Sequence, residues 1–503
     1  MIPRQTRLAL APLLAALALG GCQHAGPSGK GGSIAQASLP QCDEGAKGVR
    51  ASLSTPQGPL AYRACGGWLE VAADDGTALA RLFHTDYLAA ARAGEERPVA
   101  FVWNGGPGAD SRLLQFHALG PRTLEGANLA DNRESPLAAA DLVFLDPAGT
   151  GFSRASSEAA AKRLYATTGD IDATVRFIRD WLSAHGREGA PVYLVGESFG
   201  TWRASGVAEA LIDAGQRVAG IALISGGIPM GEERDRSLMR ALSLPNRTAT
   251  ALALGKADAA LAADPEAALA ASERFARETW YPALGDPAAL DDAARARVVA
   301  GLARFMGLAP AQIDAETLWL SPRAFRQALL ADKGLTLGIF DMRRTGEEED
   351  EALGSDAILA WYRDGLGIAG EAAGGEAYAG IDGAKLPVGS AWQYDQSPIT
   401  KESLARAMAG EGPPSASQPW VARALEKDPA MRVFVAIGLY DSLNGCAANR
   451  EAAADFPPAQ ARRIAMHCYR GGHMMYEDPA EAAQFAKDVS SFYRNSPDAD
   501  NRE

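Results

Sequence analysis

Gly196-Glu197-Ser198-Phe199-Gly200 frames a hydroxyl nucleophile for chemistry. The apolar run Val192-Tyr193-Leu194-Val195 leads straight into it, and Thr201 to Leu211 reads as a helix ending near Gly215. A serine at the apex of such a strand-to-helix turn exposes its hydroxyl. The flanking glycines permit the tight turn, and the helix N-terminus behind it favours negative charge. The serine then needs a base, an acid to orient that base, and donors for an oxyanion. Asp441 stands just beyond the apolar run Val433 to Ile437, and His473 follows in Gly471-Gly472-His473. With His473 taking the Ser198 proton and Asp441 fixing the imidazole tautomer, the chemistry is acyl transfer. Gly105-Gly106, directly after the apolar Val99 to Trp103, can turn backbone N–H groups toward an incoming oxygen.

The elements that must hold these groups are strands alternating with helices. Residues 48–88 alternate in the manner of antiparallel strands. Val99 to Trp103, Asp141 to Asp146, Val192 to Val195, Ile221 to Ser225 and Val433 to Gly438 read as buried strands. Ile171 to Ala184 has a helical apolar face, and Glu477 to Phe492 is the expected last helix. This pattern predicts an α/β fold with a mostly parallel sheet covered on both faces. Residues 230–419 are Ala-rich and helical without a clear strand, as an inserted helical cap would be. The chain order Ser, Asp, His is that of α/β-hydrolases.

With 47% apolar and 22% charged residues, the 503-residue chain has an ordinary globular composition. A net charge of −13 argues against nucleic acid and against anionic membrane surfaces as partners. Arg4 and Arg7, the apolar Leu8 to Leu19 and then Gly20-Gly21-Cys22 form an export signal too short to span a bilayer. Leu19-Gly20-Gly21-Cys22 also resembles a bacterial lipobox. That resemblance implies lipidation of Cys22, and Gln23 after it resembles the pattern of outer-membrane sorting. Membrane contact is then expected only through this anchor. Four further cysteines in an exported chain suggest two disulfides, and closeness in sequence favours Cys42–Cys65 and Cys446–Cys468. No phosphate loop, nucleotide fingerprint or metal-ligand spacing points to a cofactor or metal.

Four blocks resemble the serine carboxypeptidases, in particular their bacterial branch: Trp103-Asn104-Gly105-Gly106-Pro107-Gly108, Asp146-Pro147-Ala148-Gly149-Thr150-Gly151-Phe152-Ser153, Gly196-Glu197-Ser198-Phe199-Gly200 and Gly472-His473-Met474-Met475-Tyr476. The resemblance runs from about Gly48 to Arg494 and is weakest in the cap. It implies Ser198, Asp441 and His473 as the triad, with the N–H groups of Gly106 and Phe199 as oxyanion hole. Asn104, Gly105 and Glu197 would bind the C-terminal carboxylate of a peptide substrate. Beside that carboxylate Glu197 must hold a proton to donate, so its pKa is expected to be raised. Two departures stand out. Ala109-Asp110-Ser111 replaces the usual Cys-Ser-Ser or Ser-Ser-Ser, and Ala118 stands before Leu119-Gly120-Pro121 where many members carry a second Glu.

The expected function is a serine-type carboxypeptidase working through an acyl-enzyme on Ser198. An esterase or acyltransferase on the same triad is the alternative that Ala118 makes credible, and a non-catalytic binding protein of the same fold is a third. The expected organisation is a signal peptide (1–21), a lipidated tether (22–40), a first core segment (41–229), the cap (230–419), a second core segment (420–494) and a polar tail (495–503).

Overall fold

The computed structural model describes residues 39–90, 97–231, 235–346, 354–368, 377–380, 387–409 and 412–494. The signal segment, Cys22, nearly all of the tether and the tail lie outside these residues.

Twelve strands are present among the described residues: β1 (Lys47–Thr55), β2 (Gly58–Ala72), β3 (Ala78–Ala89), β4 (Val99–Trp103), β5 (Arg122–Glu125), β6 (Asn128–Asp131), β7 (Asp141–Leu145), β8 (Arg154–Ala155), β9 (Val192–Glu197), β10 (Val218–Ile224), β11 (Arg432–Gly438) and β12 (Ile464–Tyr469). Ten of them make one sheet in the order β1-β2-β3-β7-β4-β9-β10-β11-β12, with β8 paired to β3. β1, β2 and β3 form the expected antiparallel opening, and the strands from β7 to β12 run parallel to one another. The result is the α/β-hydrolase architecture.

The parallel strands are buried end to end because both faces of the sheet are covered, which is why they read as unbroken apolar runs. Successive side chains go to opposite faces. Phe101 and Leu194 pack with Phe177 and Trp181 of the helix Thr167–Ala184, while Val102 and Val195 pack with Phe485 and Phe492 of the helix Pro479–Tyr493. β12, read from Ile464-Ala465-Met466-His467-Cys468-Tyr469, was not anticipated. It pairs with β11 and carries only two fully buried residues, so its sequence lacks the apolar run of a central strand.

The elements described within residues 230–419 are helical, but they do not pack as one body. Residues 241–342 gather around Trp280, Leu318, Phe325 and Met306 in a core of their own. Ile358, Tyr362, Ile368 and Tyr378 instead join the sheet's second core, beside Tyr87 and Phe83. Both disulfides form, with Cα separations of 5.6 Å for Cys42–Cys65 and 6.0 Å for Cys446–Cys468. Two disulfides fit an exported protein. Among the described residues no helix is long and apolar enough to cross a membrane.

Candidate active site

Ser198 follows β9 directly and has φ of +55°, the left-handed region that a side chain adopts only when its surroundings enforce it. The enforcement is visible. Its N–H donates to the Ile224 carbonyl at the end of β10 (2.8 Å), and its own carbonyl accepts from the Thr201 N–H (3.0 Å) and hydroxyl (2.8 Å). The helix Gly200–Asp213 starts behind it.

The end of β10 also anchors His473. Ser225, itself at φ +50°, donates its hydroxyl to the His473 carbonyl (2.5 Å) and receives a hydrogen bond on its own carbonyl from Asn444 (2.6 Å). Nδ1 of His473 lies 2.8 Å from Oδ2 of Asp441, and both residues are buried. A carboxylate only accepts, so the proton belongs on Nδ1 and leaves Nε2 as the basic nitrogen. The Leu443 N–H donates to the other Asp441 oxygen (2.8 Å). Asn246, from the cap helix Leu244–Ala253, donates to the carbonyls of Asp441 (3.2 Å) and Asn444 (3.0 Å), so the cap steadies the acid loop.

The loop after β4 meets the serine turn through its backbone. A Cβ on Gly105 would come 2.6 Å from the Phe199 nitrogen and 2.5 Å from the Glu197 carbonyl, so only glycine fits there. Trp103 Nε1 donates to the Gly200 carbonyl (3.0 Å). Arg203, buried and paired with Asp170 (2.6 Å), donates to the Asn104 carbonyl (3.0 Å), while the Asn104 side chain accepts from the Leu114 N–H (3.0 Å). Gly106, Ser198 and Phe199 share the wall of one cavity of about 950 Å³, roofed by cap residues.

Glu197 is buried at the serine's flank. Its pKa is pushed up to about 7, chiefly by burial, and His473 opposes that rise. The Tyr476 hydroxyl donates to its Oε2 (2.5 Å). Tyr476 lies three residues after His473, at the end of the Gly472 to Tyr476 block, which by itself assigns it no role. Ala118, where a second Glu was looked for, is buried on a helical turn, Leu114–Leu119, and offers only its carbonyl, to Asn132 (2.9 Å). The Asp146 block serves the neighbouring loop. Asp146 accepts from the Ser111 N–H (2.9 Å), and burial beside Asp110 drives its pKa upward.

Among the described residues, one grouping offers three metal-type ligand atoms within 4.8 Å: Asp43, Asp86 and His185. It belongs to the β3 side of the sheet, where the Asp43 carboxylate lies 3.3 Å from His185 Nε2 and His84 Nδ1 pairs with Asp86 (2.7 Å).

A serine framed this way on this sheet defines a hydrolase of the α/β class. The serine carboxypeptidase family model matches residues 56–226, the stretch holding the Gly105-Gly106 loop and Ser198. No curated protein matches the sequence. Among solved structures, the prohormone-processing carboxypeptidase Kex1 of Saccharomyces cerevisiae is similar, at 14% identity and a TM-score of 0.51. That alignment covers 86% of this chain and 91% of Kex1. A haloalkane dehalogenase variant from Bradyrhizobium elkanii aligns at 15% identity and a TM-score of 0.36, covering 87% of this chain and 99% of its own.

Proposed function

We propose that this enzyme removes C-terminal residues from peptides through an acyl-enzyme on Ser198. His473 takes the serine proton and later returns one to the leaving amine, and Asp441 holds the imidazole tautomer. The N–H groups of Gly106 and Phe199 stabilise the tetrahedral oxyanion. Asn104, Gly105 and Glu197 receive the substrate's terminal carboxylate, with Glu197 donating while protonated. The observation that carries the reading is the coincidence, at the end of β10, of a serine at φ +55° and the anchored His473–Asp441 pair at 2.8 Å.

The test uses N-blocked peptides with free or amidated C-termini at about pH 5 and pH 7.5, with products followed by mass spectrometry and Ser198→Ala as control. Loss of single residues from free-acid peptides alone supports the reading. An esterase or acyltransferase on the same triad is the second reading, favoured by Ala118. It would survive if both peptides persisted while wild type cleaved simple esters. The reading extends to export as a lipoprotein, with Cys22 as the lipidated residue and residues 22–40 as tether to the outer membrane. Radiolabelled palmitate incorporation, lost in Cys22→Ala, tests that part.

A further inference from the structure

The cavity that contains Ser198 has an unusual charge for a chain of net −13. Among the described residues its wall includes Arg236, Arg240, Arg247 and Arg406 and one carboxylate, Asp441, which is already committed to His473. Arg247 stands apart from the other three. It is 97% buried, sits one residue after Asn246 on the helix that steadies the Asp441 loop, and has no carboxylate partner among the described residues. Its guanidinium lies over the rings of Trp319 (5.1 Å) and Phe325 (5.4 Å). Those contacts satisfy its faces, but its N–H edge is left nearly bare. Nη1 has only the Met306 sulfur at 3.9 Å, and Nη2 has no hydrogen-bond partner. A buried cation is normally paired, because desolvation without compensation is costly. Burial lowers its pKa to about 9, so it remains charged at neutral pH.

We propose that Arg247 is a specificity determinant that pairs with an anionic side chain on the acyl side of the scissile bond, so that the preferred substrates carry Glu or Asp there. The placement rests on the reading above. If the leaving residue's carboxylate lies at Asn104 and Glu197, which are not part of this cavity's wall, the Ser198-containing cavity receives the acyl portion. A planar guanidinium edge between two aromatic rings matches a carboxylate bidentately, and Trp319 and Phe325 accommodate the methylenes that carry it.

The test compares kcat/KM for N-blocked peptides with a free C-terminus and Glu, Leu or Lys as the residue donating the acyl carbonyl. A parallel ester pair, the p-nitrophenyl half-ester of glutarate against p-nitrophenyl pentanoate, asks the same question if only esters turn over. That outcome would sink the carboxypeptidase reading while still deciding the role of Arg247. Wild type should favour the anionic substrate over the neutral one by about 10²-fold, Arg247→Gln should bring that ratio to about one, and Arg247→Lys should restore part of it. Each ratio is taken on one preparation, so a partly unfolded variant does not alter it. Calorimetric binding of the Glu and Leu peptides to Ser198→Ala gives the same comparison without turnover. Equal handling of Glu and Leu by wild type, or an unchanged ratio in Arg247→Gln, overturns the proposal.

Discussion

Glu197 and Arg247 are both 97% buried close to Ser198, yet they answer burial differently. Glu197 has a proton it can hold, and burial raises its pKa to about 7, with Tyr476 pulling the other way. Arg247 cannot discard its charge at neutral pH and is lodged between aromatic rings instead. One group is therefore a hydrogen-bond donor whose presence depends on pH, and the other is a fixed charge. On the proposed reading, a site built from both would recognise carboxylates by two separate means, one titratable and one not.

The contrast presumes that Ser198 is the reacting atom, so the largest expected effect is at that residue. Ser198→Ala should lower kcat by about 10⁶-fold for peptide and ester alike, read by single-turnover kinetics; residual acylation would remove the premise. Gly105→Ala comes next. Its Cβ pushes on the Phe199 nitrogen, so kcat should fall about 10²- to 10³-fold with KM less affected, as for loss of an oxyanion donor. An equal rise in KM alone would point to binding rather than to the oxyanion.

The titratable side makes a stability prediction with a definite sign. A carboxyl whose folded pKa is raised contributes stability below its unfolded pKa of about 4.5 and loses it as pH rises through about 7. Glu197→Gln should then gain up to about 3 kcal/mol relative to wild type between pH 4 and pH 8, measured by denaturant titration at each pH. In activity, wild-type cleavage of free-acid peptides should decline as pH passes about 7, and Glu197→Gln should abolish that decline while leaving the preference set by Arg247 in place. The smallest effect expected is at Tyr476. Tyr476→Phe removes a hydrogen bond that lowers the Glu197 pKa, so the midpoint of the decline should move to higher pH with less than a tenfold change in kcat/KM at its optimum. A midpoint that moves to lower pH would show that the phenol does not act on this carboxyl.

What the sequence revealed follows from how local each requirement is. The turn at Ser198 was readable because its glycines are demanded by neighbouring backbone, and the central strands because burial on both faces leaves only apolar residues. Both disulfide pairings followed from proximity in the chain. β12 escaped because half-burial beside β11 lets Met466, His467 and Cys468 interrupt the pattern. The division of residues 230–419 was hidden for a different reason. An Ala-rich helix says little about which surface it faces, and only Tyr362 and Tyr378 stacking near Phe83 and Phe152 reveals the sheet as their partner. Tyr476 reaches Glu197 across 279 positions, and Arg247 meets Met306 across 59, and no spacing encodes either contact.

The contact between Ser225 and His473 joins residues 248 positions apart, and on the proposed roles it would govern when activity can arise. A chain emerging N-terminus first completes β9, β10 and the serine turn long before β11 and β12 exist to carry the acid and the base. Until residue 473 has emerged and the last strands have docked, Ser198 would lack the proton acceptor proposed for it. Long-range strand pairing of this kind is also among the slower steps of folding. With the proposed roles, a chain wired in this order would stay silent until its last strands had docked.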